Sequence, residues 1–169
     1  PFTQEEIDAS PYLQSVLKRQ EEMYDTSAFK KDGPYRIALA AQGTSNSWAA
    51  LFDQHAFWYA EELGEDVVGE LLYADATASA DVQVPQVEDL LAQDPDALIL
   101  VPMGAAALSA PVERAMAQGV PVILCASTVD TDNFVTEVGT NLYGSGAYLA
   151  QWLVDSVGEE GNVVVMTGI

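Results

Sequence analysis

Few side chains in this sequence are equipped for chemistry, and their spacing excludes more than it suggests. The single histidine, His55, falls inside an amphipathic segment, roughly two to three helical turns beyond the nearest polar loop. A serine or cysteine nucleophile needs a base within hydrogen-bond reach, so His55 reads as a surface or packing residue. Cys125 closes an apolar run and reads as a small buried hydrophobe. As the only cysteine it can form neither an internal disulfide nor a cysteine-based zinc site. The acid pairs Glu61-Glu62 and Glu159-Glu160 are adjacent near helix ends and read as solvated surface rather than as a general acid and base. Gly144-Ser145-Gly146 has part of a dinucleotide turn but lacks the third glycine and the following acid, so it reads as helix packing. No phosphate-binding glycine loop with lysine occurs. The chain is therefore read as a non-enzyme, with no catalytic residues, no metal and no cofactor.

The informative residues are neutral and polar, and they lie in loops. Gln42-Gly43-Thr44-Ser45-Asn46-Ser47-Trp48 follows one apolar run, and Asp75-Ala76-Thr77 follows a second. Pro102-Met103-Gly104, Ala126-Ser127-Thr128 and Thr140-Asn141 follow three more. Amides, hydroxyls, one carboxylate and an indole suit a neutral, hydroxyl-bearing molecule, with the indole available to stack on a ring face.

Positioning these loops requires alternating strands and helices, and the hydrophobic pattern supplies them. Tyr35 to Ala41 predicts a buried strand, followed by a helix with Ala49, Phe52, Ala56, Tyr59, Ala60 and Leu63 on one face and Gly64 at its end. Trp58 and Trp152 fall within helices and read as packing residues. Further strands are expected over Val67–Tyr73, Ala97–Val101, Val120–Cys125, Phe134–Val138 and Asn162–Met166. Helices are expected over Asp81–Gln93, Leu108–Gln118 and Leu142–Val157. This alternation implies an α/β fold, a parallel sheet with helices on both faces. Right-handed crossovers put every strand-to-helix loop at one edge, beyond the carboxyl ends of the strands, where open α/β sheets bind ligands. Ahead of the first strand, Ile7, Leu13, Val16, Leu17 and Met23 give a partial helical stripe, ended by the turn at Asp32-Gly33-Pro34.

Charge narrows the partner. The 169 residues carry 26 acids against 6 bases, a net charge of −20. Nucleic acid and anionic membrane surfaces are excluded as partners, since both are bound by displacing counterions with Lys and Arg. Five of the six cations, Lys18, Arg19, Lys30, Lys31 and Arg36, precede residue 37, and only Arg114 follows it. A pocket in the α/β region therefore has almost no side chain to fork a phosphate or carboxylate. The longest apolar stretch, Ala97 to Val112, is interrupted by prolines and glycine and is too short to span a bilayer. No targeting leader opens the chain, which reads as a processed or cloned product.

These residues together resemble a known family. Tyr35-Arg36-Ile37-Ala38-Leu39-Ala40-Ala41 with Asn46-Ser47-Trp48 is similar to the first strand and ligand loop of the type I periplasmic sugar-binding proteins related to ribose-binding protein. The resemblance runs on through Gln86-Val87-Glu88-Asp89-Leu90, Ala97-Leu98-Ile99-Leu100-Val101-Pro102, Gly119-Val120-Pro121-Val122-Ile123, Val138-Gly139-Thr140-Asn141 and Gly161 to Ile169. It implies a flavodoxin-like lobe and a receptor that closes two lobes on a sugar or polyol and delivers it to an ABC transporter permease. It implies a periplasmic or extracellular location, with a lipid anchor through a removed N-terminal segment as one arrangement. Domains follow as an N-terminal helical extension over 1–33, a first ligand-binding lobe over 34–140, and the first helix and strand of a second lobe over 141–169. On this reading the chain is part of a protein nearly twice as long; the alternative is that its last helix and strand complete a single six-stranded sheet.

The resemblance also implies site roles. Asn46 takes a sugar hydroxyl, Trp48 stacks on the ring and Gln42 makes a small polar contact; Asp75, Met103 and Ser127 complete the expected ligand-binding set. Where ribose binders carry Asp-Arg after the fourth strand, this chain has Ala126-Ser127, and it has Val101 in place of their Asn. The strongest charge-assisted hydroxyl contacts are thereby lost, so the broader solute-binding class is implied rather than ribose itself. Two other classes share features of the pattern. The effector-sensing core of a LacI-type transcription regulator requires a basic helix-turn-helix ahead of the first strand, where this chain is acidic overall. A small-molecule α/β enzyme requires catalytic groups that these loops do not supply.

Overall fold

The computed structural model describes residues 3–9, 23–140, 142–158 and 160–165. The chain divides into two compact units, Pro1–Val138 and Gly139–Ile169. The first unit contains a short helix α1 (Gln4–Ala9) and a 3-10 turn over Ser27–Phe29. Its α/β part then runs β1 (Tyr35–Ala41), α2 (Ser47–Leu63), β2 (Val68–Asp75), α3 (Ala80–Leu91), β3 (Ala97–Leu100), α4 (Ala105–Ala117), β4 (Val122–Cys125) and β5 (Thr136–Val138). The strands form one sheet in the order β2-β1-β3-β4-β5, and every pairing is parallel. The expected α/β architecture is therefore present. The first crossover runs outward from β1 to β2 and the next returns across it to β3, so the strand order reverses between β1 and β3.

The two faces of the sheet are buried unequally. Ala38, Ala40, Leu98, Leu100, Val122 and Leu124 point to one face and pack with Val87, Leu90 and Leu91 of α3 and Leu108, Val112 and Ala115 of α4. The alternate residues Ile37, Ile99 and Ile123 are only half-buried, while Leu39 of the same face is sealed. Period-2 alternation sorts these side chains between the faces. The buried stripe of α2 is Ala49 with Asp53, flanked by partly buried Phe52, Ala56 and Ala60. Tyr59 and Leu63, expected on that stripe, are exposed, as are Trp58 and, on the last helix, Trp152. The stripe rotates because Asp53 turns inward to meet Tyr73 of β2.

Element ends depart from the expected bounds for identifiable reasons. Helix α4 starts at Ala105, three residues earlier than the pattern suggests, and takes Pro111 into its buried face. Strand β4 starts at Val122 because the Val120 N–H is spent on the helix end. It donates to Ala115 O at 2.9 Å while Gly119 N–H donates to Met116 O at 3.0 Å, with Gly119 at φ +81°. This double bond pattern closes a helix through a left-handed residue, which glycine adopts without a Cβ penalty. Phe134 is buried in the core ahead of β5 rather than within it.

In the second unit, helix α5 spans Leu142–Val157 as expected. The sixth strand expected over 162–166 is not formed by its described residues: 161–165 have no strand partner, and Val163, Val164 and Val165 are exposed. Strand composition alone does not make a strand, because its backbone groups need a neighbouring chain to pair with. Gly146, expected to pack closely, has open space where a Cβ would stand. Leu13, Val16, Leu17, Asn141 and residues 166–169 lie outside the described residues.

Candidate functional site

At the carboxyl edge of the sheet the loops after β1 and β2 pack back to back. Ala76 N–H donates to Ala41 O at 3.1 Å and Ala78 N–H to Gln42 O at 2.8 Å, extending the β1–β2 ladder past the strands. The Asp75 carboxylate caps its own turn, Oδ1 accepting from Thr77 N–H at 2.6 Å. Gly43, at φ +113°, lies against this turn. Thr77 (φ 50°) and Ala78 (φ 61°) are consecutive left-handed residues, and Ala126 after β4 is a third at this edge (φ 63°). Such conformations are costly outside glycine and persist where surrounding contacts enforce them.

Asn46 begins α2. Its side-chain oxygen accepts from Ala49 N–H at 3.0 Å, which directs the helix off β1. The Asn46 oxygen thus holds the first turn of its own helix, while its Nδ2 carries two further donors. Trp48, in the first turn, is 49% exposed and stacks on Phe52 with ring centroids 5.6 Å apart. Further along, Tyr73 OH donates to Asp53 Oδ2 at 2.7 Å, fixing α2 to β2. Burial raises the Tyr73 phenol above its ordinary value, and the Asp53 hydrogen bond and charge add to the effect.

Met103 follows β3 with its N–H bonded to Gln83 Oε1 at 2.8 Å. Ser127, after β4, is exposed and its N–H donates to Cys125 O at 2.8 Å. Cys125, expected as a buried hydrophobe, is half-buried, and that burial raises its thiol above its ordinary value. The sheet order spreads the expected residues along one edge: Asp75, then Gln42 with Asn46 and Trp48, then Met103, then Ser127. The loops bearing Asn46 and Met103 flank the point where strand order reverses. His55 is exposed on α2.

The described cations sit elsewhere. Lys31 pairs with Asp96 and Arg36 with Glu70 at the amino edge of the sheet, and Arg114 pairs with Glu88 on the helical face. Among the described residues the carboxyl edge has no cation, and no group of three His, Cys, Asp or Glu is arranged to hold a metal ion. No described helix is long and apolar enough to cross a membrane. A cavity of about 410 Å³ opens at the amino edge, lined by Lys30, Lys31, Leu91, Asp94, Asp96 and Gly119. Its Lys31 and Asp96 neutralise each other, and none of the loop amides or hydroxyls reaches it.

Two polar residues of α3, one buried and one half-buried, were not legible as site residues. Gln83 is fully buried and Gln86 Nε2 donates to Asp75 O at 2.8 Å. The signal available was periodicity: Gln83 falls on the same stripe as Val87, Leu90 and Leu91, where a polar residue requires a partner.

Comparison with known proteins places this geometry. The family described as periplasmic binding protein domain matches residues 37–169. The chain is 27% identical over 134 residues to the xylitol-binding protein of Mycolicibacterium smegmatis, covering 76% of this chain and 38% of that one. It is 30% identical over 100 residues to the ribose import binding protein of Bacillus subtilis, covering 59% and 33% respectively. A solved ABC sugar transporter subunit from Rhodobacter sphaeroides superposes with a TM-score of 0.70 at 28% identity, over 79% of this chain and 45% of that one. The chain thus spans less than half the length of each of these proteins.

Proposed function

The chain belongs to the periplasmic binding protein domain family, and from that membership we propose that it is the ligand-binding part of an extracytoplasmic receptor that captures a neutral sugar or polyol for an ABC transporter permease. Residues 34–140 form the first lobe on this reading, residues 141–169 begin a second, and residues 1–33 precede them as an extension. The protein works in the periplasm or outside the cell, and as a carrier rather than a catalyst. The observation that carries the proposal is the composition of the carboxyl edge: amides, hydroxyls, one carboxylate and a half-exposed indole, without a cation among the described residues. Asn46 Nδ2 donates to a ligand hydroxyl, Trp48 covers an apolar ring or chain face, and Gln42, Asp75 and Ser127 supply further polar contacts beside Met103.

The test is a thermal-shift screen of the protein as its gene encodes it, against neutral sugars and polyols beginning with ribose and xylitol, with their phosphate esters alongside. A ligand that binds only the native state raises the melting temperature by mass action, about 2.7 kcal/mol at a hundred times Kd. Stabilisation by a neutral compound and not by its phosphate is the expected result. Stabilisation by phosphate esters alone would overturn the reading.

A further inference from the structure

Helix α3 carries a side chain whose bonds all run to the backbone of the ligand edge. Gln83 is 0% exposed. Its Nε2 donates to Val101 O at 2.8 Å and makes longer contacts to Ala41 O at 3.3 Å and Ala40 O at 3.4 Å. Its Oε1 accepts from Met103 N–H at 2.8 Å. These atoms lie where the sheet comes apart. The β1–β3 register ends at Ala40↔Leu100, and Val101 N–H makes the last bond between the two chains, to Ala40 O at 3.0 Å. Beyond it the β1 chain turns toward Asn46 and the β3 chain toward Gly104. Backbone groups at such a split lose their ladder partners and cannot be left unpaired when buried. One amide, both donor and acceptor, bridges the diverging ends.

We propose that Gln83 is a positioning residue of the ligand site: it fixes the distance between the loop carrying Gln42, Asn46 and Trp48 and the loop carrying Met103, without touching the ligand. The assignment rests on the proposed reading of the carboxyl edge as the ligand site. Its energetic logic is that of any supporting shell, in which contact groups bind well only when their backbone is held to within a fraction of an ångström. A purely apolar residue would fill the same volume in the core but would free Val101 O and Met103 N–H, and with them the relative placement of the loops.

Two substitutions separate positioning from packing. Gln83→Met keeps the shape and removes both hydrogen-bonding functions. Gln83→Glu keeps them only when protonated, since the acid then donates to Val101 O and accepts from Met103 N–H, whereas the carboxylate faces three carbonyl oxygens. Burial among carbonyls raises a carboxyl pKa, so the switch falls above the ordinary glutamate range. Calorimetric titration with xylitol, and with ribose where xylitol gives no shift, is run at pH 5 and pH 8 on protein shown to be folded by circular dichroism. Gln83→Met is expected to weaken binding about tenfold or more at both pH values, while Gln83→Glu binds nearly as wild type at pH 5 and about tenfold more weakly at pH 8. Binding equal to wild type in both folded variants would overturn the proposal.

Amide hydrogen exchange on the ligand-free protein gives the second readout. Gln83→Met should accelerate exchange at Met103 and in residues 42–46 while Leu98 to Leu100 keep their protection; uniform acceleration, or none, would show a residue that only packs. If wild type binds neither compound, the neutral ligand found in the thermal-shift screen replaces them; if that screen finds none, the functional reading is what fails, and the exchange pattern alone decides the role of Gln83.

Discussion

Gly43 and Asp75 share a space that admits no side chain on the glycine. A Cβ at Gly43 would fall 2.9 Å from Asp75 Oδ1 and 2.8 Å from Ala78 N, at a backbone φ of +113°. Contacts under about 3 Å are not tolerated by a carbon, and two of the three nearest atoms are backbone. Gly43→Ala is therefore expected to push the β1 and β2 loops apart, costing about 1–3 kcal/mol by denaturant unfolding and abolishing the ligand-induced thermal shift. An alanine variant with unchanged midpoint and unchanged binding would refute this packing of the two loops.

Asn46 caps α2 with the oxygen of its amide and, in the proposed function, meets the ligand with the nitrogen; two substitutions divide these roles. Asn46→Ala removes the cap on Ala49 N–H and should cost about 1 kcal/mol of stability along with binding. Asn46→Asp retains an oxygen for the cap, and its charge suits a helix start, so its melting temperature should stay within a few degrees of wild type. It lacks the Nδ2 donors, and binding should fall with it. Equal binding by the aspartate variant would mean that the amide donors do not meet the ligand.

Trp48 makes its ring contact with Phe52 and is otherwise half in solvent. Its removal should be cheap for the fold and expensive for the site. Trp48→Ala is expected to change stability by less than about 1 kcal/mol while weakening sugar or polyol binding about tenfold or more, as for a stacked aromatic anchor. Quenching or a spectral shift of indole fluorescence on titration, lost in Trp48→Phe, gives an independent reading.

Acid sensitivity should originate at the opposite edge. Burial acts to raise the Asp96 carboxyl, but the bond from Lys31 and the Arg36 backbone N–H, together with both positive charges, outweigh it and hold the group below its ordinary 3.8. A carboxylate with a depressed folded-state pKa stabilises the native state above its unfolded value, and that contribution disappears as pH falls through the folded one. Unfolding followed from pH 6 to pH 2 should therefore show wild type losing part of its advantage over Asp96→Asn below about pH 4. The difference should be greatest near neutrality; a gap that widens toward acid pH would contradict the pairing.

The sequence made the frame legible wherever an apolar run was bounded by strong turns. Tyr35–Ala41 and Leu142–Val157 match their expected bounds to the residue, since Gly33-Pro34 and the polar loop enclose the first and alternating apolar faces mark the second. Ala105–Ala107 gave no pattern, because three alanines suit any element. The valines at 163–165 have strand composition, yet composition cannot supply the neighbour that a strand requires. At the edge of the sheet, loop order was enough to bring Asn46, Asp75, Met103 and Ser127 to one side. What stayed hidden were relations to main-chain atoms: Gly43 against the Ala78 N–H, Asn46 on Ala49, and Gln83 on Val101 and Met103. Backbone atoms have no letter in the sequence, so side chains devoted to them look like ordinary polar residues.

The bonds of Gln83 have a consequence for descent with modification. Every partner is a backbone group: a carbonyl present whatever residue occupies positions 40, 41 and 101, and an N–H present at 103 in any residue but proline. Side chains at these four positions can therefore be exchanged, proline at 103 apart, without depriving Gln83 of a bonding partner.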